Sequence, residues 1–215
     1  MLRAVYVLGV AILIASSSHG LACEGNDILF EDRFEDNAGG WSQKKTVSIG
    51  DGALTFALPA DDMQSNLNVM FSVEDADVCA EAVWPHGETL DEAAERKRQI
   101  LGAGLLFWGK NNRTYYQFGI LNNGRYWIAR KHNGVWVGAI AANIDSPAIN
   151  TAPGSSNTLR VDAKGDTLVF YINGTKVREV RGQAPKGGWR FGVSGDNFDK
   201  SSEATLLFTN MKVTD

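Results

Sequence analysis

The stretch from Gly102 to Trp136 constrains the fold of this chain more than any other part of it. It reads GAGLLFWGKNNRTYYQFGILNNGRYWIARKHNGVW, with apolar or aromatic residues at about every second position between three turn sequences. Because side chains alternate between the two faces of a strand, this period is typical of antiparallel strands that bury one face. We therefore expect four short strands here, which form the centre of a sheet.

The rest of the chain carries further segments of the same kind. We predict strands at Ile28 to Phe34, Thr46 to Ile49, Ala53 to Leu58, Asn66 to Val73, Asp77 to Trp84, Asn157 to Ala163, Asp166 to Asn173, Thr175 to Arg181, Arg190 to Val193 and Ala204 to Val213. The segment from Ala142 to Ser156 is rich in Asn, Pro, Ser and Ala, and it predicts an irregular connection. About 13 short strands separated by turn signals indicate an all-β fold, a two-sheet antiparallel β-sandwich or jelly roll.

One segment departs from the β pattern. Thr89 to Glu92 has the form of a capping box, and the charged, alanine-rich sequence LDEAAERKRQ follows from residue 90. Glu92 and Arg96 have the i, i+4 spacing that supports a helix. We predict one short surface helix near 90–99, and its narrow apolar stripe favours a solvated excursion between two strands over an interaction helix.

The first 22 residues have the pattern of a secretory signal peptide. Arg3 is followed by the apolar segment AVYVLGVAILIA and by the small residues around Ala22, and the apolar segment is too short to span a bilayer. We therefore divide the chain into a signal peptide at 1–22 and one domain at 23–215, and we expect a secreted or periplasmic monomer. A net charge of -4 without a run of Lys or Arg argues against nucleic acid as a partner.

The chain has two cysteines, Cys23 and Cys79. In an oxidising compartment they permit one intramolecular disulfide, which is the interpretation we favour. Cleavage after Ala22 would also make Cys23 the first mature residue, as in lipoproteins. However, Gly20 stands where a lipobox usually has Leu, so a lipid anchor on Cys23 is the weaker alternative.

Several segments in this order resemble the concanavalin A-like lectin/glucanase superfamily, with the nearest likeness to secreted bacterial proteins and to laminin-G-like and sugar-hydrolase-associated jelly rolls. They are LFEDRFEDNAGGW, DGALTF, GAGLLFW, YYQFGI, GRYWIARKHNGVW and NTLRVDAKGDTLVFYINGTKV. The resemblance covers nearly all of the domain, and it implies two curved sheets, of which the concave one often forms a carbohydrate groove. It does not by itself transfer an activity, because lectins, glycosidases and adhesion modules share this fold.

The aromatic residues of the central stretch are the best candidates for ligand contact. Sugars stack their C–H faces on indole and phenol rings, and their hydroxyls need polar or charged side chains nearby. The candidate carbohydrate-binding residues are Trp108, Tyr116, Trp127, Arg130 and Trp136. Each ring has a competing role, because a sandwich of this size also needs large residues in its core.

The sequence does not contain the carboxylate triplet Glu-x-Asp-x-Glu that the related glucanases carry on one strand face. The nearest spacing is Asp77-x-Cys79-x-Glu81, in which a cysteine replaces the central carboxylate. Glycoside hydrolysis needs two carboxyl groups flanking the bond, so we predict no catalytic residues. We expect a carbohydrate-binding module without catalysis; a glycoside-active enzyme and a structural or protein-interaction sandwich are the alternatives.

A calcium ion is the one cofactor to consider, because the related jelly rolls often carry one on the convex side. The candidate ligands are Asp32, Asp36 and Asn37, with a second group of oxygens at Asp196, Asn197 and Asp199 in the last long loop. Neither group fits a strict calcium loop, and a role in turns is favoured for both.

Overall fold

The computed structural model describes residues 23–86 and 99–215, and the regular secondary structure of these residues consists of β-strands. The strands are β1 (Ile28–Asp32), β2 (Val47–Gly50), β3 (Ala53–Leu58), β4 (Asp62–Leu67), β5 (Ala76–Val83), β6 (Leu101–Asn111), β7 (Thr114–Leu121), β8 (Arg125–His132), β9 (Val135–Asp145), β10 (Ser156–Lys164), β11 (Thr167–Ile172), β12 (Thr175–Arg181), β13 (Arg190–Asn197) and β14 (Ala204–Thr214). The predicted signal peptide, and the predicted helix apart from Gln99, lie outside the described residues. Within the described ranges, no helix is long and apolar enough to cross a membrane.

The strands form two antiparallel sheets. Seven strands of the eight-stranded sheet have the order β12-β11-β10-β5-β14-β3-β2. The eighth strand, β1, pairs with β14. The six-stranded sheet has the order β4-β13-β6-β7-β8-β9, so the central stretch supplies four consecutive strands, as predicted. The prediction of an all-β, two-sheet sandwich is confirmed.

The core lies between the two sheets and is rich in aromatic residues. Phe107 of β6 and Phe118 of β7 point inward from the six-stranded sheet and meet Phe170 of β11. The ring centroids of Phe118 and Phe170 are 5.0 Å apart, and those of Phe107 and Phe170 are 5.8 Å apart. All three side chains are fully buried. Since successive residues of a strand face opposite ways, this packing also determines which residues face outward.

The predicted strand from Asn66 to Val73 is wrong in position, because β4 ends at Leu67. The reason is the buried side chain of Asn68, whose Oδ1 accepts hydrogen bonds from the backbone N–H groups of Met70 and Phe71. Asparagine side chains that bond nearby backbone groups compete with the strand ladder and favour turns. The strand therefore stops where the asparagine takes over the backbone donors.

The irregular connection predicted from Ala142 to Ser156 is shorter than expected, because β9 extends to Asp145. Asp145 pairs with Arg125 in the ladder between β8 and β9, and the Arg125 Nε lies 2.9 Å from the Asp145 Oδ1. This exposed ion pair joins the ends of the two strands. Backbone pairing with β8 therefore continues past the point where the composition predicts a loop.

The segment at Cys23 and Glu24 is attached to the outer face of the eight-stranded sheet. Cys23 forms a disulfide with Cys79 of β5, with Cα atoms 5.8 Å apart. The Glu24 backbone N–H donates to the Asp77 carboxylate at 2.9 Å. The buried Arg160 guanidinium joins both residues, with nitrogen to oxygen distances of 2.8 Å to Glu24 and 2.8 Å to Asp77. The N-terminal segment therefore covers the face that carries Asp77 and Cys79.

This arrangement bears on two alternatives left by the sequence. The sulfur of Cys23 is bonded to Cys79, and it cannot carry a lipid thioether at the same time. Asp77 is 2% exposed and is held by Arg160, so it is not open to a substrate. The disulfide is thus confirmed, and its face of the sheet has a structural role.

Replacing Cys23 and Cys79 together by alanine is expected to lower the free energy of unfolding by about 2–4 kcal/mol, because the bond restricts the unfolded chain. Guanidinium denaturation of the oxidised protein and of the variant measures the difference. Wild type reduced with dithiothreitol is the matched control and should unfold like the variant. Equal transition midpoints for the variant and the oxidised protein would contradict a stabilising bond.

Candidate functional site: a groove on the six-stranded sheet

Three glycines lie on the outer face of the six-stranded sheet, at its centre. Gly102 and Gly104 belong to β6, and Gly119 of β7 pairs with Gly104. A glycine inside a strand weakens it and often marks a close approach by another group. Here the space that a Cβ would fill is taken at each position by another side chain of the site. We call these three residues the glycine floor.

Trp127 of β8 lies across this floor. A Cβ at Gly119 would collide with the six-membered ring of the Trp127 indole, and one at Gly102 would lie 2.8 Å from its Cη2 atom. The indole therefore reaches from β8 over β7 to β6, which only glycines at these two positions permit. Its partial burial leaves part of the ring accessible beside the floor.

A polar group lies beside the indole. The Gln117 Nε2 donates to the Ser194 Oγ at 2.8 Å and to the Asp196 Oδ2 at 3.2 Å. The position of Gln117 depends on Gly104, because a Cβ there would lie 2.8 Å from the same nitrogen. Gln117 and Asp196 are 1% and 4% exposed, so both are almost fully removed from solvent.

Burial raises the pKa of Asp196 to about 7. The hydrogen bond from Gln117 and the positive charge of Lys131 act in the opposite direction and only partly offset the loss of hydration. Near neutral pH the carboxyl group is therefore divided between its protonated and ionised forms. It can donate a hydrogen bond in one form and accept hydrogen bonds or a proton in the other.

These residues form one side of a groove of about 480 Å³, which we call the outer groove. Its lining is mainly apolar and consists of Met63, Gln117, Leu121, Trp127, Ala129, Trp136, Ala139, Ala142, Asn143, Asp196 and Phe198. Asp196 is the one acidic or basic side chain in this lining, as far as the structure describes the chain. A mostly apolar groove with a few convergent polar groups is the usual form of a site for a small ligand.

Two of the five predicted carbohydrate-binding residues line the outer groove. Trp127 lies on the glycine floor, and Trp136 of the edge strand β9 is 41% exposed and forms another wall. The ring of Trp136 packs at right angles on Tyr115, with centroids 6.0 Å apart. The structure therefore brings these two tryptophans together on one face.

The structure places Trp108 and Tyr116 in the core instead. Their rings pack edge to face with centroids 5.3 Å apart, and they are 2% and 6% exposed. The pairing of β6 with β7 is irregular after Phe107, and Trp108 has a left-handed backbone with φ of 47°. Such a bulge interrupts the alternation of side chains, so sequence spacing misplaces Trp108.

The fifth predicted residue, Arg130, lies outside the outer groove. It pairs with Tyr116 across β7 and β8, and its guanidinium carbon is 5.4 Å from the Tyr116 ring centroid. Its Nη1 donates to the Gln183 Oε1 at 2.7 Å. Arg130 thus lines a separate depression near the hairpin turns of the sheet.

Sequence reasoning missed the glycine floor and Gln117, and it placed Asp196 in a loop. The predicted strand from Arg190 ended at Val193, whereas β13 continues to Asn197 and brings Asp196 onto the sheet. A signal was present in the alternating glycines of GAG at 102–104 and in the polar Gln117 between apolar neighbours. Polar residues and glycines at alternate positions mark an outer face on which side chains can approach the backbone closely.

The oxygens considered for calcium serve in loops. Asp32 accepts hydrogen bonds from the Phe34 backbone N–H at 2.7 Å and from the Trp41 Nε1 at 2.8 Å. Asp36 accepts from the Ala38 N–H at 2.7 Å, and Asn37 accepts from the Trp41 N–H at 2.9 Å. These bonds support the turn role that the sequence favours for the N-terminal group.

The second group of oxygens does not converge. Asp199 accepts hydrogen bonds from Ser201 and Ser202, whereas Asn197 donates its side-chain N–H groups to carbonyls, among them that of Pro59 at 2.9 Å. Asp196 faces the outer groove instead. A calcium ion therefore stays a sequence prediction without a converging set of ligands at either group.

The two antiparallel sheets define the class of the fold, an all-β sandwich. The particular family is given by the sequence: the chain belongs to the family of 3-keto-alpha-glucoside-1,2-lyase-like domains, whose family model matches residues 28–204. The comparison with curated protein sequences gives no match.

Solved structures of the same fold are similar at low sequence identity. The endo-beta-1,3-glucanase from Pyrococcus furiosus is 11% identical over 86% of this chain and 93% of its own, with a TM-score of 0.63. The beta-glucanase of Bacillus licheniformis is 13% identical over 86% and 97%, with a TM-score of 0.58. A carbohydrate-binding module from Bacillus subtilis is 16% identical over 82% and 96%, with a TM-score of 0.56. At these identities the likeness shows the fold alone.

The raised pKa of Asp196 predicts a stability that depends on pH. Between the unfolded value near 3.8 and the folded value of about 7, the folded protein binds more protons than the unfolded chain. The contribution of Asp196 to the free energy of unfolding is therefore greatest at low pH, and it falls as the pH rises through that interval. Asp196→Asn removes the titration, so the variant should gain stability relative to wild type between pH 4 and pH 8, by at most about 4 kcal/mol.

Urea denaturation of both proteins at several pH values measures this difference. Asp199→Asn, at a half-buried position, is a control, and the lowered pKa of Asp199 predicts the opposite trend. A constant difference in stability between wild type and Asp196→Asn across the range would show that Asp196 is not titrating near neutral pH.

Proposed function

We propose that this protein binds carbohydrate in the outer groove of the six-stranded sheet. The observation that carries the proposal is the accessible part of the Trp127 indole, which lies on the glycine floor beside the hydrogen-bonded pair of Gln117 and Asp196. A sugar ring has an apolar face and a rim of hydroxyls. The groove offers an aromatic surface for the first and polar groups for the second.

The shape of the groove supports a ligand of a few sugar rings at most. A volume of about 480 Å³ lies in the range of pockets that hold small molecules. Trp127 and Trp136 supply two aromatic walls, and Asn143 adds an amide to the polar side. The family description names a glucoside, and several structures of the same fold are called glucanases or a carbohydrate-binding module, which agrees with this ligand class.

Trp127→Ala is expected to weaken binding of a glycan by about two- to tenfold, because an aromatic stacking contact contributes about 0.5–1.5 kcal/mol. Binding is measured by titration with neutral oligosaccharides and with their 3-keto derivatives, using tryptophan fluorescence and calorimetry. Phe71→Ala is the matched control, since this ring is also exposed, at 41%, and lies outside the groove. Equal affinities of wild type and Trp127→Ala would place the ligand elsewhere.

A second candidate function is the elimination reaction that the family description suggests. Hydrolysis of a glycoside needs two carboxyl groups, and the described lining of the groove supplies one, Asp196. Elimination needs one base, because a ketone at C3 acidifies the hydrogen on C2. Since its pKa lies near neutral pH, Asp196 has the basicity that suits this proton transfer.

The reaction balances without a further reagent. The Asp196 carboxylate takes the proton from C2, the electrons of that C–H bond form a double bond between C1 and C2, and the C1–O bond breaks. The departing oxygen takes up one proton, so the products are an enone sugar and an alcohol. In this step Asp196 is the base, and Gln117 holds its carboxylate through the bond at 3.2 Å.

The rate of this elimination is expected to rise with pH through about 7, because Asp196 acts as a base in its ionised form. Asp196→Asn should lower the rate by about 10²–10⁴-fold, the usual contribution of general base catalysis. A 3-keto methyl α-glucoside is a suitable probe: the enone is followed by its ultraviolet absorbance, and exchange at C2 is followed in deuterium oxide. If wild type binds the probe but neither eliminates it nor exchanges C2, the protein is a binding module alone.

A further inference from the structure

A second depression lies beside the hairpin turns of the six-stranded sheet, and it is strongly basic. It has a volume of about 330 Å³, and we call it the basic pocket. Four of its lining side chains carry a positive charge, Lys110, Arg130, Lys131 and Lys186, and none is acidic. Such a concentration of one sign of charge is notable in a chain whose net charge is -4. Clefts lined by one sign of charge attract ligands of the opposite sign.

The cationic side chains of this pocket form no close ion pair within the described part of the chain. No carboxylate oxygen there lies within 4.0 Å of Lys110, Arg130 or Lys131, and the same holds for Lys186. By contrast, the buried Arg160 of the other sheet has two carboxylate partners. The basic pocket thus differs from the protein's own structural ion pairs.

Arg130 is oriented by neutral groups. Its Nη1 donates to the Gln183 Oε1, and its guanidinium lies over the ring of Tyr116. Both contacts position the planar guanidinium without neutralising its charge. An arginine held in this way is suited to bind a carboxylate, a sulfate or a phosphate through two hydrogen bonds.

The basic pocket adjoins the outer groove at Lys131. The Lys131 Nζ lies 5.3 Å from the ring centroid of Trp136, which lines the groove, and 5.6 Å from that of Tyr115, which lines the pocket. Lys131 itself lines the basic pocket, and its charge acts on Asp196 in the groove. The two depressions therefore lie next to each other at Lys131.

We propose that the basic pocket is a subsite for an anionic substituent of the glycan, so that the protein prefers acidic over neutral carbohydrates. The proposal rests on the binding of sugar in the outer groove that is proposed above. It further specifies that the preferred sugar carries a negative charge. A sugar ring lies on Trp127 and Trp136, and a carboxylate or sulfate on a neighbouring ring binds Arg130, Lys131 and Lys186. The aromatic groove next to the pocket favours a glycan over a free anion.

A pair of ligands that differ only in charge tests this proposal. Oligogalacturonides and their methyl esters form one pair, and sulfated and unsulfated dextran oligomers form a second pair for sulfate. Affinities are measured by calorimetry at two salt concentrations. We expect at least one acidic ligand to bind about tenfold more tightly than its neutral partner, since hydrogen bonds to charged groups are the stronger class. The preference should shrink as salt is added.

The variant Arg130→Met/Lys186→Met should reduce this preference to about twofold or less, and it should leave the affinity for the neutral ligand nearly unchanged. Lys45→Met/Arg178→Met is the matched control, because it removes the same charge at exposed positions that line neither depression. Arg130→Lys/Lys186→Arg keeps the charge and should retain most of the preference. Thermal unfolding of each variant verifies that it is folded.

Four outcomes separate this inference from the proposed function. Equal affinity for acidic and neutral ligands, or a preference that survives Arg130→Met/Lys186→Met, would overturn the anionic subsite while the groove still binds sugar. Loss of acidic binding in that variant but not in Trp127→Ala would overturn the groove and retain the anion site. A short single-stranded DNA of equal charge that binds as tightly would overturn the assignment to glycans. We expect that Arg130→Met/Lys186→Met loses the preference for the acidic ligand. We also expect that Trp127→Ala binds both the acidic and the neutral ligand more weakly.

Discussion

The packing of the two inner faces on each other is the constraint on which the rest of the structure depends. Phe118 meets Phe170 between the sheets at a centroid distance of 5.0 Å, and both are fully buried. With Phe118 directed inward, its neighbours Gln117 and Gly119 must face outward, because alternate residues of a strand occupy opposite faces. The packing of the core therefore determines that Gln117 and Gly119 face the outer groove.

The outer groove has features that stability alone does not favour. Glycines in the interior of β6 and β7 weaken strands, and a buried carboxyl group such as Asp196 loses hydration that one hydrogen bond from Gln117 only partly replaces. The same features give the groove its depth and its titrating group. Residues that break the rules of strand composition therefore mark the candidate site.

Much of the fold was predictable because it rests on local patterns. The four strands of the central stretch and the disulfide between Cys23 and Cys79 followed from alternation and from cysteine count. The errors arose where a single side chain acts on the backbone: Asn68 ends β4 through its bonds to later N–H groups, and a bulge turns Trp108 into the core. Periodicity assumes an uninterrupted ladder, and it carries no information about either event.

The sequence by itself determined the class of fold and the concentration of aromatic residues in one stretch, because a period of two residues and turn chemistry act between near neighbours. Only the tertiary structure decided which aromatic residues line the candidate groove. It buried Trp108 and Tyr116, left Trp127 and Trp136 in the groove, and brought Asp196 from β13 beside Gln117 from β7. These pairings join strands far apart in the chain, so they depend on strand order and on the space that glycines leave, which no local pattern encodes.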